Sequence, residues 1–218
     1  MVLIRLPAFA LASQIIPNVD EGLRDSLQIP EHIKSLALVT SSSDDVGYTA
    51  LDEATKMAAV EVIYAKSFYA GAAHASGPLS GEFLGILGGA TPSEVKSGLE
   101  VAVRMINEGP AFYAVDEAGE HAYYAHTVSR TGTFLSKMAG INPGEPLAYL
   151  IAPPLEAIVG LDAALKAANV RLCVFYGPPT ETNFGGGLLT GSQSSCKAAA
   201  EAFAETIKKI ALSPHSSF

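Results

Sequence analysis

The sequence predicts a fold of mixed helices and strands that is repeated within one chain. Residues 50–62, ALDEATKMAAVEV, return at 160–172 as GLDAALKAANVRL. In one register the two stretches share the pairs Leu51/Leu161, Asp52/Asp162, Ala54/Ala164, Lys56/Lys166, Ala58/Ala168 and Val60/Val170. Short apolar runs of alternating character, typical of strands, precede them at 33–40 and 146–152. We therefore expect a tandem duplication with a boundary near residues 108 to 110.

The elements predicted for the two halves follow the same order. Each half has a strand and a short helix at its start, and continues as strand, helix, strand, strand and helix. In the first half these elements fall at 8–16, 19–27, 33–40, within 50–62 for the helix, whose last residues already begin the next strand at 60–70, and then at 81–89 and from Thr91 onward. In the second half, which has one more strand at 111–116, they fall at 122–129, 131–138, 146–152, 160–172, 170–179, 185–191 and 192–212.

Two chain segments need a specific argument. The last helix of the first half opens with Thr91 as N-cap, Pro92 at the first helical position and Glu94 three residues after the cap, which predicts a capping box. The first 17 residues contain an apolar stretch, but Arg5 interrupts it and no polybasic lead-in precedes it. We interpret this start as a strand rather than a secretion signal.

Composition limits the partners of the protein. Charged residues make up 17% of the 218 residues, against about 25% in an ordinary soluble domain, so we expect a chain that buries much of its surface against copies of itself. The formal net charge of -8 argues against a nucleic-acid partner. No apolar run is long enough to span a membrane. Cys173 and Cys196 lack CxxC spacing and predict buried, reduced thiols in a cytosolic compartment.

Acidic residues follow a predicted strand in the first half. The segment SSSDD ends in Asp44 and Asp45, and Glu156 takes nearly the matching place in the second half. Neighbouring carboxylates can share a proton or hold a cation or an amine. Such residues more often cap a helix or face solvent, and the sequence leaves both interpretations open.

Signals for enzymatic chemistry are weak. The segment GGGLLTGS at 185–192 resembles a phosphate-binding loop, but Ser192 stands where that loop needs lysine. No nucleophile and base are adjacent, and no spacing typical of a metal site occurs among the histidines His32, His74, His121, His126 and His215. We predict a protein that is not an enzyme and has no metal and no cofactor.

Long segments of the chain resemble the tandem-domain shell proteins of bacterial microcompartments, most closely the ethanolamine-utilisation type. They are SDDVGYTALDEATKMAAVEVIYAKSFYAGAAH, HTVSRTGTFLSKMAGI, AYLIAPPLEAIVGLDAALKAANV and PPTETNFGGGLLTGSQSSCKAAAEAF. The resemblance implies an α+β fold of two tandem, circularly permuted bacterial microcompartment (BMC) shell domains, each an antiparallel sheet flanked by helices. We place the domains at 1–108 and 109–218.

The resemblance also implies a function. Three chains would form a homotrimeric pseudohexamer that tiles edge to edge with other shell proteins in a cytoplasmic microcompartment. A gated central pore and smaller pores would pass or bind small polar metabolites such as ethanolamine. The alternative is a small amine-binding regulatory or sensory module that does not tile. A shell protein forms sheets, whereas a sensor stays a small oligomer.

Carried over by position, the resemblance implies two sets of site residues. The ligand-binding set around the small pores is Asp44, Asp45, Glu82, Phe112, Glu156 and Thr182. The gate set lies in the loops 69–81 and 178–187 and consists of Gly71, His74, Gly77, Gly81, Asn183, Phe184, Gly185 and Gly186. Carboxylates suit an ammonium group, and glycine and proline suit a hinge.

Overall fold

The structure, a computed structural model, describes residues 3–69, 77–119 and 121–215 of the chain. Within them the chain forms two compact units, which we name the first unit and the second unit. The first unit consists of Pro7–Pro110 and Gly132–Leu135. The second unit consists of Met1–Leu6, Ala111–Thr131 and Ser136–Phe218, as far as these ranges are described.

The helices and strands alternate along the chain in a repeated order. In chain order they are β1 (Ile4–Leu6), β2 (Ala10–Ile16), α1 (Glu21–Ser26), β3 (Ser35–Ser41), α2 (Asp44–Met57), β4 (Glu61–Ser67), β5 (Phe83–Gly89), α3 (Pro92–Glu108), β6 (Phe112–Ala114), β7 (Ala122–Val128), α4 (Thr133–Ala139), β8 (Leu147–Ala152), α5 (Pro154–Ala167), β9 (Val170–Tyr176), β10 (Gly185–Gly191) and α6 (Gln193–Leu212).

Each unit contains one antiparallel sheet flanked by helices. The sheet of the first unit has the strand order β2-β3-β5-β4. The sheet of the second unit has the order β1-β6-β7-β8-β10-β9, and its last four strands repeat the first sheet strand for strand. The predicted α+β class, with an antiparallel sheet and helices in each half, is confirmed.

The start of the chain differs from the prediction. The single strand expected there is wrong, because the segment forms two strands in two different sheets. β1 pairs with β6, while β2 pairs with β3. Pro7 follows β1 directly, and a proline has no N–H with which to continue a strand ladder. The periodicity of apolar residues runs across this break and conceals it.

Local signals elsewhere are satisfied as the sequence predicts. The Glu94 N–H donates to Thr91 Oγ1 (3.2 Å), and the Thr91 N–H donates to Glu94 Oε2 (3.0 Å), which is the predicted capping box. Cys196 is buried, as predicted. Cys173 is only half-buried, which corrects the expectation for that thiol, and both cysteines are free.

The repeated helices α2 and α5 bury matching inner faces. Both have 14 residues. Val46, Gly47, Ala50, Leu51 and Ala54 are buried on α2, and their counterparts Glu156, Ala157, Gly160, Leu161 and Ala164 are buried on α5. Spacings of three and four residues put each set on one side of its helix. In the described part of the chain, no helix is both long and apolar enough to span a membrane.

Candidate functional site

Three of the predicted ligand-binding residues meet in the first unit. Asp44 and Asp45 form the first turn of α2, where the positive end of the helix dipole favours negative charge, and both are buried. The Asp45 N–H donates to Asp44 Oδ1 over 2.9 Å. Ser43 precedes them as N-cap, and its buried hydroxyl oxygen has no hydrogen-bond partner among the described residues. The head of α2 is therefore a concentrated acidic site.

Glu82 adds a third carboxyl group to this site. Its backbone is held on both sides, because its N–H donates to Ser41 O (2.9 Å) and its carbonyl accepts from the Phe68 N–H (3.0 Å). The pKa of the half-buried Glu82 carboxyl is raised from 4.5 to about 7. The larger cause is its partial burial, and the smaller is the negative charge of Asp44. The site thus holds a carboxyl group whose charge changes near neutral pH.

Gly81 fixes the position of Glu82. It has φ +62, a conformation that residues with a side chain rarely adopt, and a Cβ there would lie 2.0 Å from Ser41 O. Only glycine lets the chain approach β3 this closely. Gly77, the other described glycine of the predicted gate loop 69–81, has room for a side chain, because a Cβ there would meet only Ser80 Oγ, at an ordinary contact distance of 3.8 Å.

Tyr48 and Ser67 complete the acidic site, and the sequence reasoning missed both. Their hydroxyl oxygens are 2.8 Å apart, and the Tyr48 ring packs edge-on against Phe83 with centroids 4.9 Å apart. Burial raises the pKa of the Tyr48 hydroxyl, the Ser67 hydrogen bond lowers it, and the charges of Asp44 and Asp45 raise it. The available signal was spacing, since Tyr48 lies one helical turn after Asp44 and Asp45.

Phe112 lies among aromatic rings in the second unit. Its centroid is 5.3 Å from that of Tyr124 and 5.7 Å from that of Phe184, the latter edge-on. Phe184 sits at the end of a tight turn in which the Asn183 N–H donates to Thr180 O (3.0 Å). This contact joins a predicted ligand-binding residue to a predicted gate residue.

The same turn contains two more predicted residues. Asn183 has φ +66, which asparagine tolerates better than most residues. The hydroxyl oxygen of Thr182 lies 3.4 Å from that of Thr180. Gly185 and Gly186 are the first residues of β10, where they pair with Ala152 and Ile151. They therefore belong to the sheet, next to the turn.

Glu156 occupies the first turn of α5 and is buried. Its Oε1 lies 2.7 Å from Nε2 of His121, a half-buried residue that the sequence reasoning left among scattered histidines. The backbone N–H of His121 donates to Asp116 Oδ2 over 2.6 Å. Because 35 residues separate His121 from Glu156, no local motif could reveal the pair.

The predicted ligand-binding residues are thus divided between the units. Asp44, Asp45 and Glu82 are brought together in the first unit, whereas Phe112, Glu156 and Thr182 belong to the second. Two predicted gate residues, Gly71 and His74, lie outside the described residues. Searching the described ranges finds no group of three or more His, Cys, Asp or Glu residues that could hold a metal ion.

Comparison with known proteins gives consistent matches. The BMC domain family model matches residues 35–121. The bacterial microcompartment shell protein EutL of Clostridium perfringens is 56% identical over 204 residues, which cover 94% of each chain. The crystal structure of the ethanolamine utilization protein EutL from Leptotrichia buccalis superposes with a TM-score of 0.96 at 58% identity, covering all of both chains.

A more distant structure shares the fold. The trimeric bacterial microcompartment shell protein PduB superposes with a TM-score of 0.78 at 22% identity, covering 94% of this chain and 89% of that one. At this identity the comparison supports the fold alone.

Proposed function

This chain belongs to the EutL family of bacterial microcompartment shell proteins, and from that premise we propose that three copies of it form a pseudohexamer that tiles into the shell. It is a structural shell protein of the ethanolamine-utilisation type and not an enzyme. The observation that supports the assembly most directly is the repeated strand order, β2-β3-β5-β4 and β7-β8-β10-β9. Three chains with two similar units each supply six similar wedges around one axis.

The assembly is tested by the mass of the purified protein and by electron microscopy of the same sample at higher concentration. We expect a particle of three times 22.6 kDa that grows into flat hexagonal layers. A monomer or dimer that never forms layers would overturn the tiling proposal and favour the amine-binding sensory module.

We further propose that the acidic site at the head of α2 binds the ammonium group of a small amino alcohol such as ethanolamine. Asp44, Asp45 and Glu82 supply negative charge in a partly buried place, where charges attract more strongly than in water. The Ser43 hydroxyl is an additional polar group that a ligand could satisfy. Phe112, Glu156 and Thr182 remain proposed members of the ligand-binding set, and the loops 69–81 and 178–187 remain proposed gates.

Amine binding should depend on the charge of Glu82. An alkyl ammonium group, like that of lysine, stays protonated up to about pH 10, whereas Glu82 ionises only near pH 7, so affinity should rise between pH 6 and 8. Glu82→Gln should weaken ethanolamine binding at pH 8 by about 1–3 kcal/mol and flatten the pH profile. Isothermal titration calorimetry measures both effects.

The matched control is Glu108→Gln, which removes an exposed carboxylate from the end of α3 in the same unit. It should leave both affinity and pH profile unchanged. Equal affinities for the parent protein and the Glu82→Gln variant across this pH range would contradict the proposed role of Glu82.

A further inference from the structure

The outer faces of α2 and α5 differ although their inner faces match. α2 buries further residues, namely Asp44, Asp45, Thr49 and Asp52. The α5 counterparts in the repeat register are Pro154, Leu155, Val159 and Asp162, and all of them are exposed. One face of the repeated helix is therefore covered in the first unit and open in the second.

The open face of α5 is also the more apolar of the two. Its exposed side chains are Leu155 (59%), Ile158 (52%), Val159 (44%) and Leu165 (39%). Ile158 and Val159 follow Leu155 by three and four residues, and Leu165 follows Ile158 by two helical turns, so all four lie along one side of the helix. In the isolated chain the polar face of α2 is covered and the apolar face of α5 is exposed to water, whereas the hydrophobic effect favours covering the apolar face. The exposed ion pair of Asp162 and Lys166, 2.6 Å apart, lies among the apolar side chains of α5. Clustered exposed apolar side chains rimmed by polar groups mark an interaction surface.

Because α2 and α5 are repeats of one another, the segment that covers the outer face of α2 indicates what the exposed face of α5 binds. Gly132–Leu135, which come from the second half of the chain, belong to the first unit. Asp52 Oδ2 accepts from the Gly132 N–H and Asp52 Oδ1 accepts from the Leu135 N–H, each over 2.8 Å. Within the same segment the Phe134 ring stacks on Tyr48 with centroids 6.1 Å apart. The start of α4 thus docks on the outer face of α2.

The duplication identifies the counterpart of that docking segment. α1 begins at Glu21 after β2 ends at Ile16, and α4 begins at Thr133 after β7 ends at Val128, with equal spacing in the two halves. Residues 20–23 therefore correspond to Gly132–Leu135. Leu23, the counterpart of buried Leu135, is 40% exposed.

From this pseudo-symmetry we infer that the exposed face of α5 binds residues 20–23 of a second copy of this chain. Each chain then has one docking contact within itself, between Gly132–Leu135 and α2, and makes a second one with a neighbouring chain, between α5 and residues 20–23. A contact between two different surfaces generates a closed ring when the rotation between copies closes. The inference rests on the proposed trimer and adds to it the surface through which the chains associate.

The inference is tested by charging either side of the contact. Ile158→Asp and Leu23→Asp should each shift trimer dissociation to a roughly hundredfold higher protein concentration, the effect of disrupting a central interface residue, as measured by light scattering after size-exclusion chromatography. The control is Leu212→Asp, which charges another exposed apolar residue, at the end of α6, and should leave the mass unchanged. Circular dichroism confirms that each variant is folded.

A cross-linking experiment tests the contact without disturbing it. Leu23→Cys on one tagged chain and Ile158→Cys on a differently tagged chain, both with Cys173→Ser, should be joined by a short bismaleimide. Leu212→Cys in place of Ile158→Cys should give no such product.

The outcomes separate the inference from the proposal on which it rests. A trimeric parent with dissociating variants and the specific cross-link supports both. If the parent is trimeric, the Ile158→Asp and Leu23→Asp variants stay trimeric and the Leu23→Cys and Ile158→Cys chains give no cross-link, this surface is overturned and the trimer stands. A monomeric parent overturns the trimer and this contact together.

Discussion

Asp52→Ala is expected to lower the free energy of unfolding by about 3–5 kcal/mol. The Asp52 side chain is 1% exposed, and each of its oxygens accepts a backbone N–H, from Gly132 and from Leu135. Alanine would leave both N–H groups buried without an acceptor. It would also leave Lys56 without the carboxylate that lies 3.6 Å from its Nζ.

Equilibrium urea unfolding at fixed chain concentration measures this loss. Asp52→Asn should cost less, because its amide oxygen can still accept one of the two N–H groups. The control is Glu100→Ala, which removes an exposed partner of Lys96 at 3.9 Å and should cost less than about 0.5 kcal/mol. An Asp52→Ala loss no larger than that of Glu100→Ala would contradict the proposed docking role of this carboxylate.

Gly81→Ala is expected to cost about 2–4 kcal/mol of unfolding free energy. The new Cβ would lie 2.0 Å from Ser41 O, so the loop or β3 would have to move, and φ +62 would strain alanine in any case. Because Glu82 comes next and its N–H donates to Ser41 O, the same movement would displace the titrating carboxyl group.

Thermal unfolding together with ethanolamine titration measures both consequences. Gly77→Ala is the matched control, since it lies in the same loop and its new Cβ would make only an ordinary contact with Ser80 Oγ, and it should change stability by less than about 0.5 kcal/mol. If Gly81→Ala were as stable as Gly77→Ala, the close approach of Gly81 to Ser41 would not constrain the loop.

Most of the fold could be predicted because its signals are local. The repeat around Leu51 and Leu161, the alternating strands and the Thr91 capping box all depend on residues near one another in the chain. The sequence also placed Asp44 and Asp45 directly after a strand, whereas their position in the first turn of α2 and the approach of Glu82 to them come from the structure.

Apart from Tyr48, whose spacing from Asp44 and Asp45 was a local signal, the missed features depend on partners that are distant in the chain. Asp52 and Asp162 are identical residues in one register, yet Asp52 is buried against Gly132 and Leu135, while Asp162 is exposed beside Lys166 at 2.6 Å. No local sequence pattern distinguishes the two aspartates. They differ because the segment Gly132–Leu135 covers Asp52. The pairing of His121 with Glu156, 35 residues apart, was missed for the same reason.

Each half of the chain contributes a short segment to the unit that is formed mainly by the other half. β1 comes from the first half but lies in the sheet of the second unit, and Gly132–Leu135 come from the second half but belong to the first unit. A chain cut between residues 108 and 109 would give two fragments that each lack a piece of their own fold. Neither half is an autonomous module, so we expect the duplicated protein to unfold cooperatively as a whole and to resist separation into two single-domain proteins.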